Sequence, residues 1–129
     1  MPSNRVLIDT SAWIHYFRHR DGDVEAEIDR LLDDDLAVLC GVVEMELLRG
    51  ATPRERSLLR PMLESLTYVD LSRDDYAAAG LRLHSLARRG VTIPPTDGLI
   101  ASVCHRNGLK LLTLDRHFEH FPEVERIAV

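Results

Sequence analysis

The stretch Arg5-Val6-Leu7-Ile8-Asp9-Thr10-Ser11 decides the fold class: a short β-prone run ends in a lone acid, and a Thr-Ser pair then opens a helix running from Ala12 towards Arg20. The order of strand, polar break and helix recurs downstream. Val24, Ile28, Leu31 and Leu32 return at helical spacing, residues 36–39 read as a buried strand, and the helical stretch 42–49 stops at Gly50. Thr52-Pro53 starts another helix with proline at its first position, and Pro61 inside that pattern is expected to kink or divide it. Residues 67–71 are β-prone, and Ser72 with Asp75 resembles a capping box at the head of a helix over 73–89. After Pro94-Pro95, Thr96 or Asp97 can cap a helix that Asn107-Gly108 closes. Residues 110–114 then form a strand ending in Asp115, and 124–129 are a candidate edge strand. Short buried strands alternating with helices predict a three-layer α/β/α sandwich around a mainly parallel sheet, because parallel neighbours need crossovers that are usually helical.

The length of 129 residues suits one domain, 1–129, and 45% hydrophobic with 29% charged residues excludes a disordered chain. The longest apolar run, 36–43, falls far below the roughly 20 residues that span a bilayer. An acid at position 9 stands where a secretory peptide carries its apolar stretch, so the expected location is cytoplasmic, with no membrane partner. Cys40 and Cys104 are isolated among apolar neighbours and read as core thiols. A net charge of −5 argues against holding nucleic acid by bulk attraction alone. Every Lys/Arg cation except Lys110 is an arginine, whose planar fork suits phosphate, and much of the acid excess lies in 21–35, read as a solvated helix and loop.

In open parallel sheets the working crevice lies beyond the carboxyl ends of the strands, where Asp9 and Asp115 both fall. Each acid has a plain alternative role: capping for Asp9 and Asp97, turn formation for Asp115. Glu46 lies in the nearly all-apolar Val42-Val43-Glu44-Met45-Glu46-Leu47-Leu48, where a buried carboxylate needs a partner; Glu44 competes, and a salt bridge to Arg is the alternative for both. Thr113 shares a strand face with Asp115. Several carboxylates gathered at one sheet edge repel one another unless a divalent cation neutralises them, and oxygen ligands suit Mg²⁺ or Mn²⁺, which bridge readily to phosphate.

Four segments in this order, Val6-Leu7-Ile8-Asp9-Thr10-Ser11, Glu46-Leu47-Leu48-Arg49-Gly50, Thr96-Asp97-Gly98-Leu99-Ile100-Ala101 and Leu112-Thr113-Leu114-Asp115-Arg116-His117-Phe118, closely resemble the PIN-domain ribonucleases. Among these the chain looks most like the VapC-type toxins of toxin–antitoxin pairs. The resemblance implies an endoribonuclease dependent on Mg²⁺ or Mn²⁺, with Asp9, Glu46, Asp97 and Asp115 as its acidic, metal-holding cluster. It selects Glu46 over Glu44, since the family's acid precedes Leu-x-x-Gly, and gives Thr113 the part of a hydroxyl that hydrogen-bonds the cluster. It further implies an RNA substrate, a homodimer and a cognate antitoxin that blocks the site, while the chain is more acidic than the family often is. Arg49 and Arg116, each close to a cluster acid, are candidate phosphate-binding residues.

The rival readings have less behind them. A non-catalytic scaffold on the same fold is the main alternative. A receiver domain needs an acidic pair beside strand one and a phosphoacceptor on a middle strand, and a haloacid-type phosphohydrolase needs a second acid where Ser11 stands. The histidines, His117-x-x-His120 included, are expected in surface or capping roles, and neither a Gly-rich phosphate loop nor a Gly-x-Ser-x-Gly motif occurs.

Overall fold

Parallel strands β1 (Val6–Ile8), β2 (Ala37–Cys40), β3 (Thr67–Val69) and β4 (Lys110–Leu112) form a sheet of order β3-β2-β1-β4 in the computed structural model, which describes residues 4–129. Helices α1 (Thr10–Arg18) and α2 (Asp23–Asp33) connect β1 to β2, and α3 (Gly41–Gly50) and α4 (Pro53–Ser65) connect β2 to β3. Helices α5 (Arg73–Arg88) and α6 (Pro95–Asn107) then carry the chain from the β3 edge across to β4. Every residue of β1 and β2 is buried. Successive side chains of a strand point to opposite faces, so uninterrupted burial means that helices cover the sheet on both sides, as the sequence predicts.

This strand order positions the site. From β1 the chain moves to β2 on one side, while β4 lies on the other, so the topological switch falls between β1 and β4, where open α/β sheets bind ligands. The register pairs Ile8 with Leu112, which brings Asp9 and Thr113, each one residue further on, side by side at the carboxyl edge. The Asp9 amide donates to the Leu112 carbonyl at 2.9 Å and extends the pairing to the acid itself.

Four local expectations are revised. Pro61 neither ends nor divides α4, because buried Leu63 and the packed Leu59 and Met62 hold the helix to the core on both sides of the proline. At α6 neither Thr96 nor Asp97 is the cap; the helix starts at Pro95 after Pro94, with no side-chain cap bond. Asp9 occupies the N-cap position of α1, yet its carboxylate makes no capping bond. The last residues contribute a single parallel bridge, Leu111 to Arg126, in place of a strand.

The box at Ser72 forms as read: the Ser72 hydroxyl accepts from the Asp75 amide at 3.3 Å, and Asp75 Oδ2 accepts from the Ser72 amide at 2.7 Å. Asp75 is 1% exposed and is matched by Arg106 of α6, whose Nε and Nη2 donate to it at 2.9 and 2.7 Å. The Ser102 hydroxyl adds a bond at 3.2 Å. Burial alone would raise this carboxyl, but Arg106, the Ser72 amide and Ser102 outweigh it and hold Asp75 below the usual range. Cys40 and Cys104 are buried free thiols, as expected. In the stretch 21–35 the acids are mostly solvated while Val24, Ile28 and Leu31 face the core; the buried acid is Glu25, which lies 3.2 Å from His15.

Candidate active site

Asp9 anchors the site. It is 4% exposed, and its Oδ2 accepts from the hydroxyls of Ser11 and Thr113, both at 2.8 Å. Each hydroxyl is also an acceptor: Ser11 Oγ takes the Leu114 amide at 3.0 Å, and Thr113 Oγ1 takes the Asp115 amide at 3.0 Å. Donor and acceptor are thus used on both side chains, so the network holds the carboxylate and the end of β4 in one arrangement.

Asp97 enters from the first turn of α6 and is 8% exposed. Asp115 follows β4 and serves two purposes, since its Oδ1 accepts from the His117 amide at 2.9 Å, which is the turn role expected of it, while the same atom lies 3.0 Å from His117 Nδ1. His117 Nδ1 is also 2.8 Å from Asp97 Oδ2. One imidazole nitrogen therefore faces both carboxylates. Burial, then the charges of Asp9 and Asp115, push Asp97 up to about 6 against the lowering hydrogen bond from His117. The His117 imidazole is shifted up by its bond to Asp97 and by the charges of Asp115, Asp97 and Asp9. Negative charge here exceeds what the side chains present neutralise.

Glu46 sits on α3 against the start of α1, where it accepts from the Thr10 hydroxyl at 2.8 Å. Among the described residues it has no ion pair within 4.0 Å, so the salt bridge considered from sequence is replaced by this neutral bond. Arg49 and Arg116 are both exposed; the Arg116 side chain is 89% exposed and lies 3.6 Å from Glu119. The sequence reading missed His117 and the hydroxyls of Thr10 and Ser11. Thr10 and Ser11 directly follow Asp9 but read as helix-start residues, and His117, two residues past Asp115, reads from sequence as a surface or capping histidine.

Asp97, Asp115 and His117 offer ligand atoms that all lie within 4.8 Å of one another, close enough to share one metal ion. The donor set suits a divalent cation: carboxylate oxygens and one imidazole, at a place where burial and then the charges of Asp9 and Asp115 already raise Asp97. Beside Glu46, helices α1, α3 and α4 enclose a groove of about 450 Å³ lined by Ile14, Phe17, Leu47, Leu58, Leu59 and Met62, with Arg18 and Glu55 as further polar members.

Residues 6–124 match the family model described as PIN domain. The chain belongs to the PIN domain family. Ribonuclease VapC11 of Mycobacterium tuberculosis is 34% identical to this PIN domain over 120 residues, covering 88% of the chain and 89% of that protein. Two solved structures share the fold: DNA-bound VapBC from Salmonella typhimurium, TM-score 0.80 at 22% identity over 95% of this chain and 96% of that one, and VapBC2 of Rickettsia felis bound to a promoter DNA fragment, TM-score 0.78 at 21% identity with the same coverage. All four segments singled out in the sequence fall within the matched residues.

Proposed function

We propose that this PIN domain is an endoribonuclease that hydrolyses RNA phosphodiesters with Mg²⁺ or Mn²⁺ and acts as the toxin of a toxin–antitoxin pair. The observation that carries the reading is the meeting of Asp97, Asp115 and His117 ligand atoms within 4.8 Å of one another at the carboxyl edge of β4, beside Asp9, whose partner Thr113 also accepts the Asp115 amide. Kinship with a named VapC ribonuclease supports the substrate class. A cation bound there would supply charge neutralisation on the phosphate and a water activated for attack.

Asp97 and Asp115 would hold that cation, Asp9 would complete its shell directly or through water, and Glu46 would reach it from the α3 side. Ser11 and Thr113 act as positioning residues, since both donate to Asp9 Oδ2 and so fix the carboxylate before substrate arrives. Arg49 and Arg116, both exposed, would meet phosphates flanking the cleaved bond. Purified Asp97→Asn is expected to fold and to lose about 10³-fold in Mg²⁺-dependent RNA cleavage. Undiminished cleavage would reject the reading. A folded wild-type chain that binds no divalent ion would favour the scaffold alternative.

Both solved structures named above are VapBC complexes, which supports an antitoxin partner for this chain too. We place that partner in the groove beside Glu46: its apolar lining fits the face of an amphipathic segment, and Glu46, bonded among the described residues only to the neutral Thr10 hydroxyl, favours a segment carrying a cation. Leu58→Asp should weaken toxin–antitoxin binding at least tenfold in titration calorimetry, and unchanged affinity would remove this placement. No helix among the described residues is long and apolar enough to cross a membrane, and a cytoplasmic location accords with an RNA substrate. The family resemblance implies a homodimer; exposed Tyr76 and Leu81 on α5 offer it apolar surface, and light scattering that returns monomer mass would refute it.

A further inference from the structure

The donor set departs from oxygen alone at one position. His117 follows Asp115 by two residues in the Arg116–His120 3-10 turn, and the Asp115 carboxylate fixes the start of that turn by accepting the His117 amide. The buried Phe118 next to it anchors the turn in the core. With its backbone held, the ring presents Nδ1 to Asp97 Oδ2 at 2.8 Å and to Asp115 Oδ1 at 3.0 Å. An octahedral shell with bonds of about 2.1 Å separates neighbouring ligand atoms by roughly 3 Å. The two distances therefore match the spacing of adjacent ligands on one ion as well as that of two hydrogen bonds. We propose that His117 is a nitrogen ligand of the divalent cation at this site, through Nδ1, and that it gives the site a preference for first-row transition ions over Mg²⁺.

This rests on the metal-dependent reading above and specifies the cation it uses. Mg²⁺ is a hard ion that keeps its waters and gains little from an imidazole, whereas nitrogen donors bind Mn²⁺ and, more strongly, Co²⁺ along the usual stability order. The ring already faces both carboxylates, so little rearrangement is needed for Nδ1 to join them on one ion. Co²⁺ is therefore expected to bind more tightly than Mn²⁺, and Mn²⁺ more tightly than Mg²⁺. The His117 side chain is 43% exposed, so His117→Gln removes the ring at little risk to folding.

The test is titration of wild type and His117→Gln with Mn²⁺, Co²⁺ and Mg²⁺ by calorimetry, with pulsed electron paramagnetic resonance on the Mn²⁺ samples. Wild type should show ¹⁴N coupling from one imidazole. His117→Gln should lose that coupling and bind Mn²⁺ about tenfold or more weakly, with Mg²⁺ affinity changed by less than about threefold. Mn²⁺ bound without ¹⁴N coupling, or bound as tightly by the variant, overturns the nitrogen ligand and leaves the carboxylate site standing. If wild type binds none of the three ions, the metal-dependent reading fails along with it.

Discussion

Asp75 and Asp97 occupy the same position in consecutive helices, the third residue of the first turn, and they have opposite fates. Asp75 is held below the ordinary carboxylate range and Asp97 is pushed up to about 6, although both are buried. The N-cap residue separates them first. Ser72 has an amide that Asp75 can accept from, whereas Pro94 has none to offer, so Asp97 has no capping box to close. The surroundings separate them further: Arg106 supplies Asp75 with a fixed cation, while Asp97 faces Asp9 and Asp115. A buried carboxylate with a built-in cation ties two helices together, and one facing its own kind is suited to a cation from solution.

The largest expected effect breaks the paired side of this contrast. Arg106→Leu leaves Asp75 buried without its cation and should destabilise the fold by about 3–5 kcal/mol, read from urea unfolding. RNA cleavage per folded molecule should stay the same, because Arg106 lies at the far contact of α6 with Asp75. A loss below 1 kcal/mol would show that its box and Ser102 hold Asp75 without Arg106.

Next in size is the pH response of the metal-free chain. A carboxyl raised in the folded state stabilises when protonated; its contribution is fully present below about pH 4 and is lost as pH rises through about 6. Asp97 should therefore cost the metal-free fold about 2–3 kcal/mol by neutral pH, and the raised His117 acts in the same direction. Asp75 behaves oppositely, its contribution present above about pH 4 and lost as pH falls through its lowered value. Thermal unfolding should thus show a maximum near pH 4–5, and Asp97→Asn or added divalent ion should remove the decline above it. A wild-type profile still rising from pH 5 to 8 without metal would contradict the repulsive cluster.

The smallest effect tests the role of the N-cap. Pro94→Ser restores an amide and a hydroxyl ahead of α6, and should stabilise the fold by about 1 kcal/mol as Asp97 turns back to close a box. Divalent affinity should drop several-fold in the same protein. Stabilisation with unchanged metal binding would mean that the neighbouring acids, and not the missing amide, direct Asp97 into the site.

Much of the scaffold was legible because it follows local rules. Apolar runs ending in acids marked β1 and β4, Ser72 with Asp75 formed the expected box, and Gly108 closed α6 in the left-handed conformation, φ 63°. Expectations failed where a distant contact outweighed a local signal. Pro61 sits in an unbroken helix because Leu63 is buried beyond it, and the Asp9 carboxylate ignores the helix it precedes for hydroxyls on its own chain neighbour and across the sheet. His117 was passed over because a histidine's role depends on what stands opposite it, and Asp97 is twenty residues away in the chain.

The amino-acid order alone determined the alternation of strand and helix, the acids at the strand ends and the family resemblance, since each depends on spacing within a few residues or on residue identity. Tertiary structure decided which acids repel, which one is paired, and which imidazole stands between them. Those outcomes depend on distances of about 3 Å between residues far apart in sequence, and only the folded sheet and its crossovers set them.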